Sequence, residues 1–150
     1  MSTTGGGGGP EHRTLAVSTY QHCWQLLDAD RTPEQDRDLV GLAFTSRYHW
    51  GFVGGSTEHA IADWMVSRCL AAVGDAVLSR KFADSSLDFL DDQSPAWLRA
   101  SLYEGLARAC AAGGDREGRD EYVARARAEL EAEPDPEDRE LIEAQLDDVP

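Results

Sequence analysis

VSRCLAAVGDAVLSRKFADSSLDFL, residues 66–90, reads as a helix, a tight reversal at Gly74-Asp75, and a second helix. Ala, Leu and Arg favour helix, and no apolar–polar alternation rich in β-branched residues lasts long enough to suggest a strand. Forty residues on, LARACAAGGDREGRDEYVARARAEL (106–130) has the same plan around Gly114-Asp115. Setting one segment over the other brings Val66 onto Leu106, Ser67 onto Ala107, Phe82 onto Tyr122, Ala83 onto Val123, Ser86 onto Ala126 and Leu90 onto Leu130. Small residues therefore recur where two helices would touch, which permits close axial approach, and larger ones recur beside them to fill the grooves.

The same punctuation divides the rest of the chain. A first helix is expected from about Glu11 to Leu27, ended by the polar run Asp28–Thr32. Thr32-Pro33-Glu34-Gln35 reads as a helix start, with Thr32 as cap, Pro33 in the first turn and Gln35 closing a capping box. That second helix should reach about Phe52 and break at Gly54-Gly55. Ser56 is expected to cap a third helix, with Glu58 near the positive end of its dipole, running to Val73. Asp75 opens a fourth helix reaching Leu90, and Ser94-Pro95 opens a fifth that ends at Ala112. Asp115 opens a sixth, to about Ala132, and Asp135-Pro136 starts a last one with Leu141, Ile142 and Leu146 inward. The fold class is therefore all-α, with about seven helices in antiparallel hairpins. Residues 1–10, rich in glycine, are expected to be a disordered tail, and 11–150 a single helical domain.

Around its turns, the segment from Ile61 to Ala132 resembles tetratricopeptide-like helical hairpins: Ser67, Gly74, Asp75 and Phe82 to Ser86 in one unit, then Ala107, Gly114, Asp115 and Tyr122 to Ala126 in the next. The resemblance implies a right-handed stack of helix pairs presenting a concave surface to a peptide or protein. The chain as a whole also resembles small bacterial helical proteins of uncharacterised function, through Tyr48-His49-Trp50, the Gly-Asp turn and the tail Glu137–Ile142. That second likeness implies no activity.

Composition narrows the functions further. With 150 residues, 41% of them hydrophobic and 28% charged, the chain is long enough for a substantial core. A net charge of −14 disfavours nucleic acid and anionic membrane as partners and leaves room for a basic one. No apolar run approaches the roughly 18 residues of a membrane span. Residues 1–9 have neither the basic region nor the apolar run of a signal peptide, so a cytoplasmic location is expected. Cys23, Cys69 and Cys110 are few, scattered and odd in number, which suggests reduced buried thiols. The single lysine, Lys81, against thirteen arginines suggests a GC-rich genome.

No stretch spells out a reaction. HExxH and GxSxG are missing, and Glu11-His12, His22-Cys23 and Glu58-His59 are adjacent pairs whose side chains diverge on a helix. No metal, cofactor or catalytic residue is expected. The densest cluster of aromatic and basic residues is SRYHWGFVGGSTEHAIADWM, residues 46–65. There Arg47 and Trp50 share a helix face, as do Trp64 and Arg68 on the next helix. Arg68 lies on an otherwise apolar stripe and needs a partner, for which Glu58, Asp63 and Glu104 are the candidates, or else an anionic ligand. The expected function is a non-enzymatic, protein- or peptide-binding module. One alternative is a small-ligand site or small enzyme between helices two and three, built from Arg47, His49, Trp50, Trp64 and Arg68. The other is a homodimer through apolar helix faces, with Tyr20 and Trp24 in the interface. Glu104-Arg108 and Glu121-Arg125 are expected to be ordinary exposed i,i+4 pairs.

Overall fold

A computed structural model describes residues 5–150, and over them the chain forms seven helices and no strand. They are α1 (Gly5–Leu27), α2 (Pro33–Val53), α3 (Ser56–Ala72), α4 (Ala76–Leu87), α5 (Ala96–Ala112), α6 (Arg116–Leu130) and α7 (Pro136–Asp147). α1 packs mainly on α2, α3 on α4 and α5 on α6, and α3 also packs on α5.

The two Gly-Asp turns use the same hydrogen bonds forty residues apart. Gly74 N–H donates to the Ala71 carbonyl and Asp75 N–H to that of Leu70; Gly114 and Asp115 do the same to Ala111 and Cys110. This paired closure of a helix end places the glycine in a left-handed conformation, and φ is +88° at Gly74 and +77° at Gly114. The aspartate then caps the following helix: Asp75 Oδ1 accepts from Leu78 N–H at 3.1 Å and Asp115 Oδ1 from Gly118 N–H at 2.9 Å. One residue thus satisfies the end of one helix and the start of the next, and this forces the reversal. Space is open around both glycines, so an alanine at either would suffer only from its backbone conformation. Gly74→Ala and Gly114→Ala should each cost about 1–2 kcal/mol, measured as a lowered denaturation midpoint with unchanged slope.

The small residues expected at helix contacts are buried: Ser67, Ala83, Ser86, Ala107, Val123 and Ala126. Ser79 Oγ donates to the Ser67 carbonyl at 2.8 Å, tying α4 to α3. One apolar cluster joins Cys23, Leu39, Ala60, Met65, Leu70, Leu98 and Leu102. A second joins Ala100, Val123, Leu130, Ile142, Leu146 and Val149. α5 belongs to both and is buried on nearly every side.

Several boundaries differ from the sequence reading. α1 begins at Gly5, so Gly5–Pro10 extend the helix rather than forming a tail, while residues 1–4 lie outside the described residues. Adding turns to an existing helix is far easier than nucleating one, and Pro10 still leaves its carbonyl to accept from Thr14 Oγ1. The Thr32–Gln35 capping box forms as expected, at 3.2 and 2.9 Å. Ser56 is the first residue of α3 rather than its cap; Gly55 holds that place, and its N–H donates to the Glu58 carboxylate. Ser94 Oγ accepts from Asp91 N–H instead of capping α5. α4 stops at Leu87, because Asp88, Phe89 and Leu90 turn back onto carbonyls three residues earlier.

Candidate functional site

The five residues singled out from the sequence do not meet in one cavity. Arg47 Nε donates to Asp63 Oδ1, and its guanidinium lies 5.3 Å from the Phe82 ring centre. It lines a cavity of about 370 Å³ with Tyr48, Phe52, His59 and Phe89. His49 faces α1 instead: its Nδ1 is 2.8 Å from His12 Nδ1, one imidazole donating to the other, and Phe52 stacks on His12 at 4.1 Å. Trp50 is half-buried beneath the guanidinium of Arg13, and its carbonyl accepts from Gly54 N–H and from His59 Nε2. Trp64 and Arg68 do come together. The Arg68 guanidinium lies 4.8 Å from the Trp24 ring centre and 5.7 Å from that of Trp64.

Arg68 needs no anionic ligand, because Glu104 supplies its counter-charge. Arg68 Nη1 donates to one Glu104 carboxylate oxygen at 3.0 Å and Arg108 Nε to the other at 2.9 Å. Glu104 is fully buried, so the pair expected on an exposed helix face is an internal triad. Burial pushes the Glu104 carboxyl up while Arg108 and Arg68 pull it down, with a net upward result. Burial lowers the Arg68 guanidinium, opposed by Glu104. Glu121–Arg125, by contrast, is an exposed pair at 2.8 Å, as expected.

A larger cavity, about 540 Å³, opens on the face formed by the odd-numbered helices. α1 contributes Tyr20 and Trp24, α3 contributes Ile61 and Trp64, and α5 contributes Trp97, Ser101 and Leu102. α7 contributes Asp138, Leu141, Ile142 and Gln145. Each helix offers residues three or four apart, the spacing that puts side chains on one face. The groove is open at α7, where Leu141 is 58% exposed. Trp64 forms its floor, 5% exposed, against Gly105; a Cβ there would sit 2.8 Å from Trp64 Cδ1. Trp97 is held by an unusual helix cap. Pro95 offers no capping side chain, and the buried Glu133 carboxylate, between α6 and α7, accepts from Trp97 N–H at 2.9 Å.

The volume and the apolar, aromatic walls fall in the range of binding sites. Burial raises the Tyr20 phenol above its ordinary value, so it is neutral at physiological pH. Asp138 is the one lining carboxylate, and it too titrates above its ordinary value, through partial loss of water and then the nearby Asp135, Glu133 and Glu137. The indole Nε1–H of Trp64 has no acceptor among the described residues. Among the described residues there is no cluster of three or more His, Cys, Asp or Glu able to hold a metal ion, and no helix long and apolar enough to cross a membrane.

The sequence reading set Trp64 in a pocket between helices two and three; in the structure Trp64 lines the cavity of α1, α3, α5 and α7. Trp97, Ser101 and Asp138, which that reading did not single out, line it too, as do Tyr20 and Trp24, which its homodimer alternative used. The available signal was the paired spacing on alternate helices. Comparison with family models, with curated proteins and with solved structures gives no match to this chain.

Proposed function

We propose that the chain is a tetratricopeptide-like helical-hairpin module that binds a peptide segment of a partner protein in the groove of α1, α3, α5 and α7. The observation that carries this reading is that every odd-numbered helix lines one cavity with at least two residues. In a stack of hairpins these helices form the inner, concave layer, which is where such scaffolds take extended or helical peptides. The open side at Leu141 suits a chain that enters and leaves. Cys23, Cys69 and Cys110 are buried and unbridged, which supports work in a reducing compartment such as the cytoplasm.

A small ligand in the same groove is the second reading, favoured by a cavity of about 540 Å³ with aromatic walls. A homodimer through Tyr20 and Trp24 is less favoured, since it would bring together two chains of charge −14.

The test is selection of peptides from a random dodecapeptide display library on the full chain, followed by fluorescence anisotropy with the selected peptides. Ser101 is half-buried in the groove wall, so Ser101→Trp should fill the cavity and leave the core intact. Affinity should fall at least about tenfold, or about 1.4 kcal/mol, with little change in the melting temperature. Peptides that bind wild type and Ser101→Trp equally would place binding elsewhere.

A further inference from the structure

The chemistry of the groove says what kind of peptide it takes. Among its lining residues there is no Lys or Arg, and the one group charged at neutral pH is Asp138. Asp138 lies within the segment Glu131–Glu143, which holds seven carboxylates (Glu131, Glu133, Asp135, Glu137, Asp138, Glu140, Glu143) against one arginine. That arginine, Arg139, is engaged by the Glu133 carbonyl. The open end of the groove therefore carries a concentrated negative potential.

The walls favour a cation as well. Indole and phenol rings attract guanidinium and ammonium groups at their faces, and this chain repeatedly stacks its own arginines so: Arg68 on Trp24 and Trp64, Arg13 on Trp50, Arg80 on Tyr122. Trp97 has no such cation among the described residues. It lies in the same groove as Asp138, so an aliphatic stem can cross its ring while the charged end reaches the carboxylate.

We infer that the groove takes a basic peptide segment, in which a Lys or Arg pairs with Asp138 across Trp97 and a neighbouring large apolar side chain packs on Tyr20 and Trp24. This rests on the peptide-groove reading above and adds the identity of the occupant. A second copy of this acidic chain does not fit the charge requirement.

The same display selection on the full chain tests it, now read for composition. Selected peptides should be enriched in Lys or Arg beside Leu, Phe or Trp, and their affinity should fall as salt is raised. Asp138→Lys, a change at a partly exposed position, should weaken them about tenfold while the circular-dichroism melting curve stays in place. Selected peptides that are acidic or uncharged, yet lose binding in Ser101→Trp, overturn the basic-segment inference and leave the groove reading standing. The inference is equally overturned if basic peptides bind Asp138→Lys as well as wild type. Failure to select any peptide that depends on Ser101 overturns both.

Discussion

Replacing Glu104 with alanine should destabilise the protein by about 3–5 kcal/mol, the range for removing one member of a buried ionic cluster. The carboxylate is fully buried and receives Arg68 and Arg108, each with an 11% exposed side chain. Without it, two guanidinium groups face each other at the centre of the stack, and the nearest counter-charge is the exposed Asp148 carboxylate, 3.9 Å from Arg108. Arg68 Nε already lacks a partner, so Arg68 has little left to hold it in place. Arg108 also donates to the Gln145 carbonyl at 3.0 Å, so the damage should extend to the end of α7. The effect comes from stranding charge rather than from losing attraction, and that distinction can be measured. Converting the whole cluster with Glu104→Leu, Arg68→Met and Arg108→Leu should restore most of the lost stability, because a packed apolar replacement strands nothing. Urea denaturation of wild type, single and triple variants decides it. A single variant within 1 kcal/mol of wild type, or a triple variant worse than the single, refutes the stranded-charge account.

Glu104 also shows where the sequence becomes hard to read. Helix five holds three charges, Arg99, Glu104 and Arg108, and the spacing of the last two suits an exposed i,i+4 pair. What buries Glu104 is the position of α5 between both apolar clusters, which is a property of the stack and not of the helix. The turns are different. Gly74-Asp75 and Gly114-Asp115 carry their instructions locally, through one left-handed residue and one capping carboxylate, so their outcome was legible. The start of α5 lies between these cases. Ser94-Pro95 looks like a local cap, yet the acceptor comes from Glu133, 36 residues beyond Trp97. No window on the sequence contains both.

The groove was illegible for a related reason. Its lining is drawn from four helices, and each contributes two to four residues whose spacing alone reads as ordinary core. Residues 46–65 drew attention because their aromatics and basic groups are crowded in sequence. In the structure those side chains disperse: Arg47 toward α3 and α4, His49 toward α1, and Trp64 into the groove. Density along the chain measures proximity of backbones, and on a helix it says little about which direction each side chain takes.

That dispersal leads to the second large effect, at Arg47 itself. Asp63 is 1% exposed and its two oxygens have one partner each, Arg47 Nε and Ser85 Oγ. Arg47 is 44% exposed, so it can turn to water if Asp63 is removed, whereas Asp63 cannot follow if Arg47 is removed. The two halves of one ion pair should therefore respond unequally. Arg47→Met strands a buried carboxylate and should cost about 3–5 kcal/mol. Asp63→Asn keeps an acceptor for Ser85 and releases an exposed arginine, and should cost nearer 1 kcal/mol. Combining them should recover much of the loss, since Met and Asn leave no unpaired charge. Equal single-variant losses would show that attraction, not desolvation, sets the value of the pair. Peptide affinity supplies the functional half of the experiment. Arg47 lines the smaller cavity and not the aromatic groove, so Arg47→Met should bind groove peptides as wild type does at temperatures where both are folded. A selective loss of binding at full folding would return Arg47 to the site from which the geometry removes it.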